Sequence, residues 1–192
     1  DSLYPGETDS KHSRIAARYL RKEFKTLGNI RRATVHVCGL GLYQLLINGR
    51  RVGNSELAPL GSDYNKTLIY DTYDVTHALS SENVLMLTLG AGNYFAPRQH
   101  YQTKVRSTYG KPMALLNLIV EYQDGHADTL ATDATWRLNV NGPIRYSNFY
   151  DGEMYDARQE LGDVFHLDYD DNQWMQTQRM TAPQGKLVGN LS

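Results

Sequence analysis

The sequence predicts an all-β protein, a β-sandwich or jelly roll, and three observations lead to this prediction. Short runs alternate apolar and polar residues along the 192-residue chain, as at Ala33, Val35 and Val37, and a period of two is typical of strands with one buried face. Turn signals such as Asn48-Gly49 separate these runs. No segment shows the spacing of an amphipathic helix. About eight to ten strands at this spacing indicate a sandwich or jelly roll.

The strands follow one another between turn-forming residues. The first run is interpreted as an edge strand, the run at 115–122 as a central strand, and 90–112 as a long loop because it holds glycines and prolines without periodicity. We predict an N-terminal extension over 1–15, the sandwich over 16–181, and the start of a linker over 182–192. The predicted strands cover 17–27, 33–38, 42–47, a return strand from residue 51, 68–75, 84–89, 115–122, 127–131 and 136–140.

Composition and charge exclude several classes of function. The net charge is -1 and the basic residues are scattered, which argues against a nucleic-acid partner. No stretch is long and apolar enough to span a membrane. The one cysteine, Cys38, cannot form an internal disulfide. Tyrosine is abundant, with 14 residues, and this side chain suits both strands and sugar-binding sites.

Several segments, in order along the chain, resemble the amino-terminal domain of bacterial α-L-rhamnosidases of the glycoside hydrolase family 78 type. The most specific is the run Tyr-Asp-Gly-Glu-Met-Tyr-Asp-Ala-Arg from Tyr150 to Arg158. The chain departs from the family pattern where it has Gly61-Ser62 in place of a Trp-Thr pair. The other matching segments are 17–24, 39–53, 63–66, 69–76, 82–85, 89–94, 144–149 and 169–174.

The resemblance implies a fold similar to galactose-binding-like carbohydrate-binding modules. It implies an accessory domain that recognises or positions a rhamnose-containing glycan for a helical-barrel catalytic domain further along the same polypeptide. That barrel carries out inverting hydrolysis of terminal rhamnosides in the family, so we expect this chain alone to be inactive. It also implies a bacterial periplasmic or extracellular location. The alternatives are a free-standing rhamnose-binding module and a structural docking domain without sugar affinity.

The candidate sugar-binding or docking residues lie in two of the matching segments. A ring that covers a sugar face, together with carboxylates and a guanidinium that bind hydroxyls, is the chemistry of carbohydrate recognition. The candidates are Asn93, Tyr94, Asp151, Glu153, Tyr155, Asp156 and Arg158.

The same carboxylates admit two other interpretations. Asn148, Asp151 and Glu153 offer the hard oxygen ligands of a possible calcium ion, although their spacing does not match an EF-hand loop. In the second interpretation, Glu153, Asp156 and Arg158 form a polar network that fixes a loop or docks the module to its catalytic partner. No residue is assigned a catalytic role, and no cofactor is required.

Overall fold

A computed structural model describes residues 14–96 and 109–190 of the chain. Two short 3-10 helices, Thr76–Ala78 and Ala157–Gln159, interrupt an otherwise all-β structure in these residues. The strands are β1 Arg18–Lys25, β2 Ile30–Leu40, β3 Leu42–Ile47, β4 Arg50–Arg51, β5 Thr67–Asp74, β6 Glu82–Gly90, β7 Met113–Tyr122, β8 Ala127–Ala131, β9 Arg137–Asn139, β10 Ile144–Asn148, β11 Gly152–Tyr155, β12 Met175–Gln176 and β13 Lys186–Gly189.

The strands form two main sheets and a separate hairpin. One sheet has six strands in the order β12-β9-β1-β6-β3-β4, and the other has five in the order β13-β5-β2-β7-β8. Strands β10 and β11 form a separate two-stranded sheet, and Asn148 of β10 also forms an isolated parallel bridge with Gly92. The predicted all-β sandwich is confirmed. The described residues contain no helix long and apolar enough to cross a membrane.

The main core lies between the two sheets. Ala33, Val35 and Val37 on β2 are fully buried, as their alternation predicts, and they pack with alternate residues of β3, β6 and β7. Trp136 is also fully buried and belongs to the same cluster. Cys38 is buried on β2, within the strand that the sequence predicts over 33–38.

The predicted Asn48-Gly49 turn joins β3 to β4. Both residues have positive φ, 52° and 77°, which is the conformation that this dipeptide favours in a hairpin. The Asn48 side chain also ties the turn to the next strand, because it donates to Asn83 Oδ1 and accepts from the backbone N–H of Val84. Asn83 is fully buried and exchanges further hydrogen bonds with the backbone of Ser80.

Three sequence-based expectations differ from the structure. Strand β1 is not an edge strand, because it pairs with β6 on one side and β9 on the other. The segment 182–192 is not a plain linker, because Lys186–Gly189 forms β13 and pairs in parallel with β5. Ile15 is 1% exposed, so the body of the domain begins before residue 16.

A layer without long strands covers the outer face of the six-stranded sheet. Val164 and Trp174 from this layer are buried against Ala17 and Tyr19 at the start of β1. Arg21 on the same face is 2% exposed, and its Nε donates to the carbonyl oxygen of Val164. The layer therefore depends on polar contacts as well as on apolar packing.

We expect Asn83→Ala to lower the free energy of unfolding by about 2–4 kcal/mol, because it leaves buried polar groups without partners. Urea unfolding monitored by tryptophan fluorescence measures the change. Asn141→Ala, at an exposed turn, is the matched control and should stay within about 0.5 kcal/mol of the unmodified chain. Equal stability of the two variants would contradict the role given to Asn83.

Candidate functional site

The segment that carries most of the predicted site residues is the β10–β11 hairpin. Its first strand is attached to the end of β6 by backbone hydrogen bonds, since Ala91 N donates to Ser147 O at 2.9 Å and Phe149 N donates to Gly92 O at 3.1 Å. At its base, Ala17 N donates to the carbonyl oxygen of Ile144. A two-stranded hairpin is marginal by itself in water, so these contacts hold it in place.

Asn148 shapes the turn of the hairpin. Its Oδ1 accepts from the backbone N–H groups of Tyr150 and Asp151 at 2.9 and 2.8 Å, and its Nδ2 donates to Asp151 Oδ2 at 3.1 Å. The structure therefore brings Asn148 and Asp151 together, in a network that fixes the backbone.

The amide oxygen of Asn148 already accepts from two N–H groups in this structure. Within residues 14–96 and 109–190, no three His, Cys, Asp or Glu side chains gather closely enough to hold a metal ion. The calcium site at Asn148, Asp151 and Glu153 stays a prediction, and the function proposed below uses no metal.

Asp156 and Arg158 form the predicted polar contact just after β11. The carboxylate accepts from Arg158 Nε and Nη2, both at 2.8 Å, and from the backbone N–H of Arg158 at 3.1 Å. The guanidinium and this N–H hold the pKa of Asp156 at about 2, below its ordinary value of 3.8. The pair caps the 3-10 helix Ala157–Gln159. Glu153, by contrast, lies on β11 opposite Ser147.

The hairpin presents large apolar side chains to solvent. Phe149 is 66% exposed, Met154 48% and Tyr155 53%. The Phe149 ring contacts the Tyr150 ring edge to face, with 5.6 Å between their centroids, and Tyr155 Oη donates to a carboxylate oxygen of Glu160. All four residues of β11 are exposed.

Tyr94 does not belong to this surface. It is 2% exposed and packs in an interior cluster with Cys38 and Leu40, and its ring meets the Tyr64 ring edge to face at 5.0 Å. The prediction of Tyr94 as a sugar-facing ring is therefore wrong for this structure. Its neighbour Asn93 is half-buried, next to the Gly92 that pairs with Asn148.

The structure also contains a second polar site that was not predicted from the sequence. A concavity of about 250 Å³ opens on the outer face of the six-stranded sheet. Its residues come from β1, from β9 and the turn before it, and from the covering layer. These parts are far apart in the sequence, so local spacing gives no signal for the site. The residues are Arg21, Lys22, Glu23, Thr135, Arg137, Leu167, Tyr169 and Asp171.

The chain belongs to a class of β-sandwich domains found in glycoside hydrolases, as its match to a known family shows. The model of the α-L-rhamnosidase N-terminal domain family matches residues 28–192. The chain belongs to this family, which confirms the resemblance drawn from the sequence.

The curated relatives are much longer than this chain. An α-L-rhamnosidase of Formosa agariphila is 37% identical over 178 residues, which is 91% of this chain and 18% of that protein. An α-L-rhamnosidase of Streptomyces avermitilis is 36% identical over 83% of this chain and 15% of its own length. The chain thus spans less than a fifth of these proteins.

The chain also superposes on a small part of much longer proteins among solved structures. The α-L-rhamnosidase from Dictyoglumus thermophilum superposes with a TM-score of 0.84 at 33% identity, over 93% of this chain and 19% of that one. The Streptomyces avermitilis α-L-rhamnosidase complexed with L-rhamnose superposes with a TM-score of 0.79, over 90% and 17%.

We expect Arg158→Met to raise the pKa of Asp156 from about 2 towards 3.8. Since folding lowers this pKa, the stabilisation from the pair is fully present above an unfolded-state value of about 3.9, and it is lost as the pH falls through about 2. A carboxyl-carbon NMR titration measures the pKa. Arg31→Met, which alters an exposed pair with Glu121, is the control, and an unchanged Asp156 pKa in Arg158→Met would refute the assignment.

Proposed function

We propose that this chain is the accessory domain of an α-L-rhamnosidase and that it positions a catalytic domain of the same polypeptide on a rhamnose-containing glycan. The observation that carries this proposal is the β10–β11 hairpin with its exposed apolar side chains. Its sequence is also the most specific part of the family resemblance. The bacterial periplasm or the cell exterior is the proposed location, since such glycans are met there.

Docking at the hairpin is favoured by its exposed apolar side chains and by the edge of β11 that pairs with no other strand of the described residues. Soluble monomers rarely leave several large apolar side chains together in water, and such patches mark interaction surfaces. Phe149, Tyr150, Met154 and Tyr155 lie within seven residues and are each more than 40% exposed. Phe149 and Tyr150 contact each other, while Met154 and Tyr155 lie on opposite sides of β11. Strand β11 pairs on one side only within the described residues, and an exposed edge is a site for adding a partner. Because the relatives extend far beyond this domain, the partner we propose is the remaining part of the enzyme.

Direct sugar recognition by the same hairpin is the second candidate. Glu153 and Tyr155 are two residues apart on β11, so their side chains point to the same side of the strand. An exposed ring next to a carboxylate can cover one face of a sugar and bind its hydroxyl groups. This observation supports rhamnose as the ligand without requiring Tyr94.

The docking proposal predicts that the double variant Phe149→Ser, Met154→Ser binds the catalytic portion less tightly. We expect a loss of about 1–3 kcal/mol, or roughly 5- to 150-fold in Kd, because two apolar contacts are removed. Calorimetry of this chain mixed with the separately produced catalytic portion measures the affinity. Leu27→Ser is the control, since Leu27 is 63% exposed in the β1–β2 turn. Equal affinities of both variants, or no association at all, would count against docking.

The accessory role predicts that the isolated chain releases no nitrophenol from a chromogenic α-L-rhamnoside, and measurable turnover would overturn it.

If the hairpin also binds sugar, Tyr155→Ala should weaken L-rhamnose binding about tenfold, whereas Tyr155→Phe should retain it because the ring remains. Calorimetry with L-rhamnose tests this second candidate. An absence of binding by the unmodified chain rejects it and leaves the docking role in place.

A further inference from the structure

The concavity on the outer face of the six-stranded sheet is built around two neighbouring arginines. Arg21 on β1 and Arg137 on β9 are direct cross-strand partners. Like charges in such positions repel each other. Asp171 offsets this repulsion, with one oxygen 2.6 Å from Arg21 Nη1 and the other 3.6 Å from Arg137 Nε.

The two arginines differ in how many of their guanidinium N–H groups donate hydrogen bonds. Arg21 is buried and donates to Asp171, Glu23 and the carbonyl oxygens of Val164 and His166. Its role is therefore structural. Arg137 is 35% exposed, and its contact with Asp171 is longer than a hydrogen bond. Among the described residues, nothing hydrogen-bonds to the terminal Nη groups of Arg137, so this planar fork is available to a ligand.

The surroundings of Arg137 favour an anion. Three cationic side chains line the concavity against two carboxylates, and the closest carboxylate, Asp171, is held mainly by Arg21. Lys22 lies at the same rim, where its Nζ donates to Thr135 Oγ1 at 2.6 Å. A guanidinium fork matches the geometry of a carboxylate and binds it through two parallel hydrogen bonds.

The remaining lining residues suit a sugar ring. Leu167 is 41% exposed and the half-buried Tyr169 also lines the concavity, so both can contact the apolar face of a pyranose. Glu23 offers its second carboxylate oxygen to ring hydroxyls, whereas the Thr135 hydroxyl is already used by Lys22 and Asp133. At about 250 Å³, the concavity is smaller than the ~300–1,000 Å³ of sites for drug-sized ligands, which limits a ligand to about one sugar unit.

We propose that this concavity binds one carboxylated sugar, a uronic acid unit, with its carboxylate on Arg137 and its ring against Leu167 and Tyr169. This inference rests on the proposed accessory function in glycan recognition and names the class of sugar recognised. The site is distinct from the hairpin, because none of the seven residues predicted as a sugar or docking site lines it.

The test is a titration of the chain with D-galacturonate, D-galactose and acetate, followed by amide NMR and calorimetry. Galacturonate and galactose differ only at C6, where a carboxylate replaces a hydroxymethyl group. We expect galacturonate to bind at least about tenfold more tightly than either galactose or acetate. The amide signals that shift should be those of Arg137, Leu167 and Tyr169.

Variants of Arg137 separate this site from a general charge effect. Arg137→Met should weaken galacturonate binding at least about tenfold, and Arg137→Lys should weaken it less because the charge remains without the fork. Arg31→Met, which removes an exposed guanidinium on β2, is the matched control and should bind as the unmodified chain does. Thermal unfolding of each variant confirms that the fold is retained.

Three results would overturn the proposal. These are equal affinity for acetate and galacturonate, unchanged binding by Arg137→Met, or shifts confined to the hairpin. The experiments also distinguish a failure of the docking proposal from a failure of the uronate-site proposal. Galacturonate binding without association with the catalytic portion rejects docking and retains the uronate site. Association without galacturonate binding rejects the uronate site alone.

Discussion

The outer layer of this domain depends on one buried guanidinium. Arg21 is 2% exposed, and a charge at that depth is tolerated only when its donors are paired. Val164, His166 and Asp171 supply acceptors from a segment with no long strand or helix of its own. The same contacts that neutralise Arg21 therefore fix that segment over the six-stranded sheet. Because Asp171 lies closer to Arg21 than to Arg137, Arg137 makes the weaker contact of the two cross-strand arginines.

The parts of the fold that follow from the sequence are those whose signals are local. Alternation at Ala33, Val35 and Val37 predicts β2 correctly, and Asn48-Gly49 predicts the turn after β3. Strands β12 and β13 are only two and four residues long. Their pairing is decided by strands distant in the sequence, so no periodicity precedes it. For the same reason β1 cannot be recognised as an interior strand until β9 is known to lie beside it.

The candidate site was predictable to a similar extent. Asp156 and Arg158 are two positions apart, and the structure pairs them as their charges suggest. Tyr94 shows the limit of composition, because a tyrosine suits a sugar platform and an aromatic interior cluster equally well, and only the fold places it in the interior. The contact between Arg21 and Asp171 joins residues 150 positions apart. A contact between residues so far apart cannot be predicted from a local sequence motif.

The pairing of β13 with β5 has a mechanical consequence. The two strands run parallel, from Lys186 beside Thr67 to Gly189 beside Tyr70, and Asn190 Nδ2 then donates to the buried carboxylate of Asp71 at 2.6 Å. Tension applied at Asn190 and directed along the strand loads these hydrogen bonds together in shear, so they do not break one after another as in unzipping. A load at this sheet edge is therefore shared by several hydrogen bonds and passes into the five-stranded sheet.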